Sequence, residues 1–97
     1  MPKGYWITVY RKISDPARLA QYAALGAPAI DAGGGRFIAR GVAAATFEGG
    51  DNQRTVVIEF DSVSRAIATY NSPAYQAAAA LLEGAVDREV RIVEGVS

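Results

Sequence analysis

A strand-like run followed by a capped helix start occurs twice in this chain, and that repetition constrains its fold more than any other feature. Gly4 to Arg11 reads GYWITVYR, dense in aromatic and β-branched residues that suit a pleated, half-buried surface. Asp15 then stands where an N-cap is needed, with Pro16 at the first helical position. Leu19, Tyr22, Ala23, Gly26 and Ile30 follow at helical spacing and form one apolar stripe. Gly33, Gly34 and Gly35 stop that helix. In the second half Thr55 to Phe60, TVVIEF, is the clearest strand, and Ser62 caps a helix whose stripe is Val63, Ala66, Ile67 and Tyr70. Asn71-Ser72 ends it, and Ser72-Pro73 repeats the cap-plus-proline device. A second helical piece then runs along Tyr75, Ala78, Ala79 and Leu82 to Gly84.

Two further strands complete the pattern. RFIARGVAAATF, from Arg36, suits a strand with a bulge at Gly41. EVRIVEGV, Glu89 to Val96, makes the last one. The polar stretch EGGDNQ, Glu48 to Gln53, reads as a hairpin connection between the two middle strands. The order is β-α-β-β-α-β with the second helix broken at Asn71-Pro73. This is the α+β ferredoxin-like arrangement, a four-stranded antiparallel sheet with helices on one face, in one domain over residues 1–97. The other face of such a sheet carries half of the strand side chains. Face-to-face pairing with a second copy is the simplest cover, which predicts a homodimer.

Composition removes several function classes. Ten basic and ten acidic residues balance to zero and are spread without blocks, so no basic stripe marks a nucleic-acid partner. The longest apolar run, Ala77 to Leu82, is too short to span a membrane, and the start lacks the apolar segment of a signal peptide. The expected location is cytoplasmic. With no Cys and no His, thiol nucleophiles, His-assisted serine hydrolysis, His-ligated haem and ordinary zinc sites are excluded. An oxygen-only cation site stays open, although no spaced carboxylate loop such as DxDxDG occurs. Neither a metal nor a cofactor is expected. Catalysis would fall to Asp, Glu, Arg, Lys, Tyr or Ser, or to chemistry supplied by the substrate.

Five pieces in order, GYWITV with the Asp15-Pro16 helix start, GGGRFIARG, RTVVIEF, YNSPAYQ and RIVEG, resemble the domain-of-unknown-function family numbered 1330, over about Gly4 to Gly95. The resemblance implies membership of the dimeric α/β-barrel superfamily, in which two ferredoxin-like protomers pack their sheets into a barrel with the helices outside. It implies no established activity. Relatives in that superfamily include cofactor-independent quinol monooxygenases, muconolactone isomerases, haem-degrading enzymes and ligand-sensing domains; the haem branch uses a histidine that this chain lacks. The family pattern has an arginine where this chain reads ALLEGA, Ala80 to Ala85, and a glycine where it has Val42.

The candidate site residues each have a plainer reading beside the functional one. Gly33 to Gly35 with Arg36 follow a helix and precede a strand, the reverse of a phosphate loop, so a cap and turn is the better account. Arg36 and Arg40 lie four apart on one strand, which puts both on the same sheet face, and Glu59 on the neighbouring strand can pair with one of them. That trio reads either as an anion clamp with a carboxylate base, Glu59 accepting a proton and Arg40 or Arg36 stabilising the anion, or as a structural ion pair at the sheet end or dimer seam. Tyr22, Tyr70 and Tyr75 fall on helix stripes facing the sheet. They read as core packing or, since ligands of the superfamily sit between helices and sheet, as the walls of a pocket for a flat ligand. Trp6 and Tyr10 are assigned to the barrel interior or dimer interface. The expected function is binding of a small aromatic or acidic metabolite between helices and sheet, with isomerase or monooxygenase-like chemistry needing no cofactor. The alternative is a non-catalytic binding or structural dimer.

Overall fold

A computed structural model describes residues 2–50 and 53–96. Strand β1 spans Gly4–Ile13, helix α1 Pro16–Ala32, β2 Arg36–Val42, β3 Arg54–Phe60, α2 Val63–Tyr70, α3 Pro73–Ala79 and β4 Val86–Glu94, with a 3-10 turn at Ala80–Leu82. The sheet is antiparallel throughout, in the order β2-β3-β1-β4. The ferredoxin-like β-α-β-β-α-β arrangement is therefore the fold of this chain, second helix broken as expected.

The local signals act as their chemistry dictates. The Asp15 carboxylate accepts from the Arg18 N–H at 3.1 Å, and Ser62 and Ser72 accept from Arg65 and Tyr75 at 3.1 and 3.2 Å. At the break, the Ser72 hydroxyl donates to the Thr69 carbonyl at 2.7 Å and the Gln76 amide donates to the Tyr70 carbonyl at 2.7 Å, so the bend leaves these carbonyls satisfied. Gly34, at φ 93°, takes the left-handed position after α1. The Gly35 N–H returns to the Ile30 carbonyl at 2.9 Å.

Several strand boundaries differ from the sequence reading; β3 begins one residue earlier, at Arg54, and β4 ends at Glu94 rather than Val96. β1 runs on to Ile13, and β4 begins at Val86 rather than Glu89. β2 stops at Val42, where Ala43 to Ala45 carry little side chain to hold a strand surface; the Ala43 N–H still bonds to the Gln53 carbonyl at 3.1 Å. The hairpin expected over EGGDNQ falls partly on Asp51 and Asn52, which lie outside the described residues, while β2 and β3 on either side pair antiparallel.

The core lies between the helices and one sheet face. Trp6, Thr8 and Tyr10 of β1 and Val56, Ile58 and Phe60 of β3 are buried there, under Ile30, Ala66, Tyr75 and Ala78. This corrects the assignment of Trp6 and Tyr10 to a barrel interior or dimer interface. β1 alternates with period two, and its register with β3 and β4 turns these two aromatics inward toward the helices and Tyr5, Ile7 and Val9 outward. At its start the backbone runs so close to Ser62 that a Cβ on Gly4 would lie 2.6 Å from the Ser62 carbonyl oxygen. Among the described residues no helix is long and apolar enough to cross a membrane.

Candidate functional site

The two faces of the sheet carry different polar chemistry, and one irregularity in β2 decides which residue goes where. Arg36 pairs with Glu59 and Phe37 with Ile58, but the next pairs are Ala39 with Val57 and Arg40 with Val56. Ile38 is thus an extra residue, a bulge that reverses the alternation. Arg36 emerges on the open face and Arg40 on the helix-facing side. The expectation that both arginines share a face fails for this reason, and the bulge sits at Ile38 rather than Gly41, which keeps its register with Thr55.

On the open face, Arg36 bonds to the Glu59 carboxylate, and the Tyr5 hydroxyl donates to the same group at 3.0 Å. The Arg36 guanidinium first, and Tyr5 second, hold the Glu59 carboxyl below its ordinary value, and the same contact raises Tyr5. A carboxylate so stabilised is a poor proton acceptor, and no part of the helix–sheet cleft reaches it. Lower on this face Arg11 pairs with Asp87 at 2.9 Å and Glu89 at 3.4 Å, and Arg91 pairs with Glu89 at 2.8 Å.

On the helix-facing side the tyrosines meet. The hydroxyls of Tyr22 on α1 and Tyr75 on α3 lie 2.7 Å apart. Arg88 on β4 donates to Tyr75 at 3.0 Å and to Tyr22 at 3.4 Å. The Tyr75 ring is fully buried, edge-on to Trp6 at 4.8 Å between centroids. Tyr70 packs against both, 5.4 Å from Trp6 and 5.3 Å from Tyr75, so it joins the aromatic cluster and no hydrogen bond of its hydroxyl occurs among the described residues. Burial pushes the Tyr75 hydroxyl far above the usual phenol range, with the neighbouring Tyr22 adding to it and Arg88 opposing. Burial alone would lower Arg88, but the two tyrosine oxygens that accept from it more than offset that, and it stays a cation.

Next to this dyad lies a cleft between α1 and the sheet. Trp6, Thr8, Tyr10 and Ile58 line it from the strands, and Leu19, Tyr22, Ala23 and Ile30 from the helix; Arg40, Arg54 and Arg88 also line it. Its interior has about 40 Å³ of free room. No Asp or Glu lines it among the described residues, and none of the salt bridges found there involves its three arginines. Arg40 lies over the Phe37 ring at 4.6 Å, Arg88 lies over Tyr22 at 5.1 Å, and the buried Arg54 Nε has no hydrogen-bond partner among the described residues. A buried donor left unpaired is costly, so this atom marks a place where an acceptor would be stabilising. Arg88 also borders a second, open groove of about 390 Å³ with Tyr70, Val90 and Ile92. Among the described residues no three acidic side chains cluster closely enough to hold a metal ion.

Sequence reasoning found Tyr22, Tyr70, Tyr75 and Arg40 for this region and missed Arg54 and Arg88. Both were detectable by phase: Arg54 continues Val56, Ile58 and Phe60 backward, and Arg88 continues Ile92 and Val90. An arginine in register with buried positions is the signal, and beginning the last strand at Glu89 hid it.

A family profile described as domain of unknown function (DUF1330) matches residues 3–96. No curated protein matches the chain. Among solved structures, a protein of unknown function from Rhodopseudomonas palustris, RPA0582, superposes with a TM-score of 0.77 at 15% identity, covering 99% of this chain and 84% of that one. A protein from Thermobifida fusca described as dimeric and ferredoxin-like has a TM-score of 0.67 at 19% identity, with coverage of 96% and 91%. SnoaB from Streptomyces nogalater, described as a cofactor-independent oxygenase, has a TM-score of 0.70 at 12% identity, with coverage of 100% and 96%. Similarity at these identities carries the fold.

Proposed function

The chain belongs to the DUF1330 family, which brings no activity with it, and from its own geometry we propose that it binds a small planar acid in the cleft between α1 and the sheet. One observation carries this reading: three arginines from three strands line an aromatic-walled cleft with no carboxylate among its described lining residues. Guanidinium groups recognise carboxylates through paired N–H donors, and the rings of Trp6, Tyr10 and Tyr22 offer flat apolar contact to the rest of the ligand. In this reading Arg40 is the anion-binding residue expected from the sequence, joined by Arg54 and Arg88, while Tyr22 and Tyr75 hold Arg88 in place and Tyr70 backs the aromatic wall. Arg36 and Glu59 take the structural role instead, as an ion pair on the face proposed to meet a second copy of the chain. The oxygenase described for the Streptomyces nogalater protein supports looking for cofactor-independent small-molecule chemistry in the same fold.

A thermal-shift screen tests the proposal by comparing small aromatic acids such as benzoate with their neutral amides. An acid present at a hundred times its dissociation constant stabilises by about 2.7 kcal/mol, which raises the melting temperature by roughly 10–20 °C in a domain of this size. The acid is expected to stabilise, the amide not, and Arg40→Ala to abolish the difference. The narrow interior, with about 40 Å³ of free room, favours the second reading, a structural dimer without ligand chemistry. Equal melting temperatures across the whole screen would decide for it.

A further inference from the structure

The cleft's inventory of ionisable groups is one-sided. Facing it are Arg40 from β2, Arg54 from β3 and Arg88 from β4, with Tyr10 from β1 and Tyr22 from α1; Tyr75 from α3 reaches it through its bond to Tyr22 and Arg88. Three of these are permanent cations. The other three are phenols, each a hydrogen-bond donor at neutral pH. Burial raises Tyr10 as well as Tyr75, so neither is a phenolate that could take a proton. The one carboxylate expected to act as base, Glu59, is on the far side of the sheet, bonded to Arg36 and Tyr5. No carboxylate or imidazole faces the cleft among the described residues.

A site rich in cations and poor in bases favours the anionic form of whatever binds. We propose that the cleft selects ligands with an enol or phenol oxygen and holds that oxygen deprotonated at neutral pH, the anion lying between Arg54 and Arg40. The only bond broken is the ligand's O–H; its proton goes to bulk water and its electron pair stays on the ligand oxygen as the negative charge that the guanidinium groups face. This rests on the binding reading above and extends its ligand class from carboxylic acids to weakly acidic hydroxyls. Any reaction on such a ligand would begin from the ligand's own anion rather than from a protein base. The unpaired Arg54 Nε is the donor such an oxygen would satisfy.

The test uses 4-nitrophenol, whose acid and anion differ in colour, titrated from acid to alkaline pH with and without saturating protein. An opposite charge within about 4–6 Å lowers an acid's pKa by about 1–3, so the bound probe is expected to ionise at least about one pH unit lower than the free one. Arg54→Gln and Arg40→Gln should each return the titration toward that of free probe. Arg40 is exposed, so its variant reports even if the Arg54 variant does not fold. An unchanged or higher ionisation midpoint overturns the proposal, as does a lowered midpoint that persists in the folded Arg40→Gln protein. Benzoate, already ionised over most of this range, separates the two claims. If it stabilises the protein through Arg40 while the nitrophenol midpoint stays put, only the present inference fails. If neither compound binds, both fail.

Discussion

Tyr75 does two things that a phenylalanine could do only by half. Its ring fills the space between Trp6 and Tyr70, and its hydroxyl ties α3 to Tyr22 on α1 and to Arg88 on β4. Tyr75→Phe keeps the packing and strips Arg88 of its closer acceptor. A buried donor that loses its partner costs about 1–3 kcal/mol, and urea denaturation should show a loss in that range. Tyr70→Phe is the internal control, since no hydrogen bond of its hydroxyl is found among the described residues; a change of under about 0.5 kcal/mol is expected there. Equal losses at both positions would mean that ring packing, not the hydroxyl network, decides the energetics. Periodicity placed both tyrosines toward the sheet, because a helix stripe is a local property. It could not distinguish them, because the partner that makes one hydroxyl essential stands on β4.

At the scale of the elements, β2 carries the decisive irregularity. A strict period of two puts Arg36 and Arg40 on the same face, and the extra residue at Ile38 separates them onto opposite faces. Nothing in RFIARGV fixes where the bulge falls, since glycine at position 41 was as good a local candidate as isoleucine at 38; the pairing with β3 chooses. The consequence is an ion pair joining β2 to β3 on the open face, and it has a pH signature. Because Glu59 titrates below its ordinary value in the folded chain, the unfolded chain binds the extra proton first as pH falls. The stabilisation is fully present above the usual carboxylate value of about 4.3 and is lost as pH falls through the lower folded value. Melting temperature recorded against pH should therefore decline on the acid side, and Glu59→Gln should flatten part of that decline. Glu89, lowered by Arg91 and then by Arg11, supplies a share that survives the substitution. An acid limb identical in the two proteins would exclude Glu59 as a contributor.

For the whole molecule, the open sheet face is the feature that the single chain leaves without a layer. Tyr5, Ile7 and Val9 of β1, Val57 of β3 and Val93 of β4 point away from the helices, with Arg11, Asp87, Glu89 and Arg91 paired beside them. A sheet with an apolar stripe and pre-paired charges suits a face-to-face partner, and a second copy of the chain is the occupant we propose. Light scattering is expected to give twice the 10.2 kDa chain mass. Val57→Lys, which would set like charges near each other across a two-fold seam, is expected to halve that mass with the circular dichroism unchanged. A single-chain mass for the unaltered protein would refute the dimer.

The element order, the caps at Asp15, Ser62 and Ser72 and the break between α2 and α3 were all determined by the sequence alone, since each depends on residues within one turn or one strand of one another. So was the presence of tyrosines on the sheet-facing stripes. Which face each charged strand residue takes was decided only by tertiary structure. β2 and β3 set the bulge through their pairing, and the register of β1 with β3 and β4 fixes which of its side chains meet the helices. The side chains that converge on the cleft, Arg40, Arg54 and Arg88, come from three strands that meet only in the assembled sheet. Their placement is a matter of long-range register, where a slip of one residue moves a guanidinium from one side of the sheet to the other.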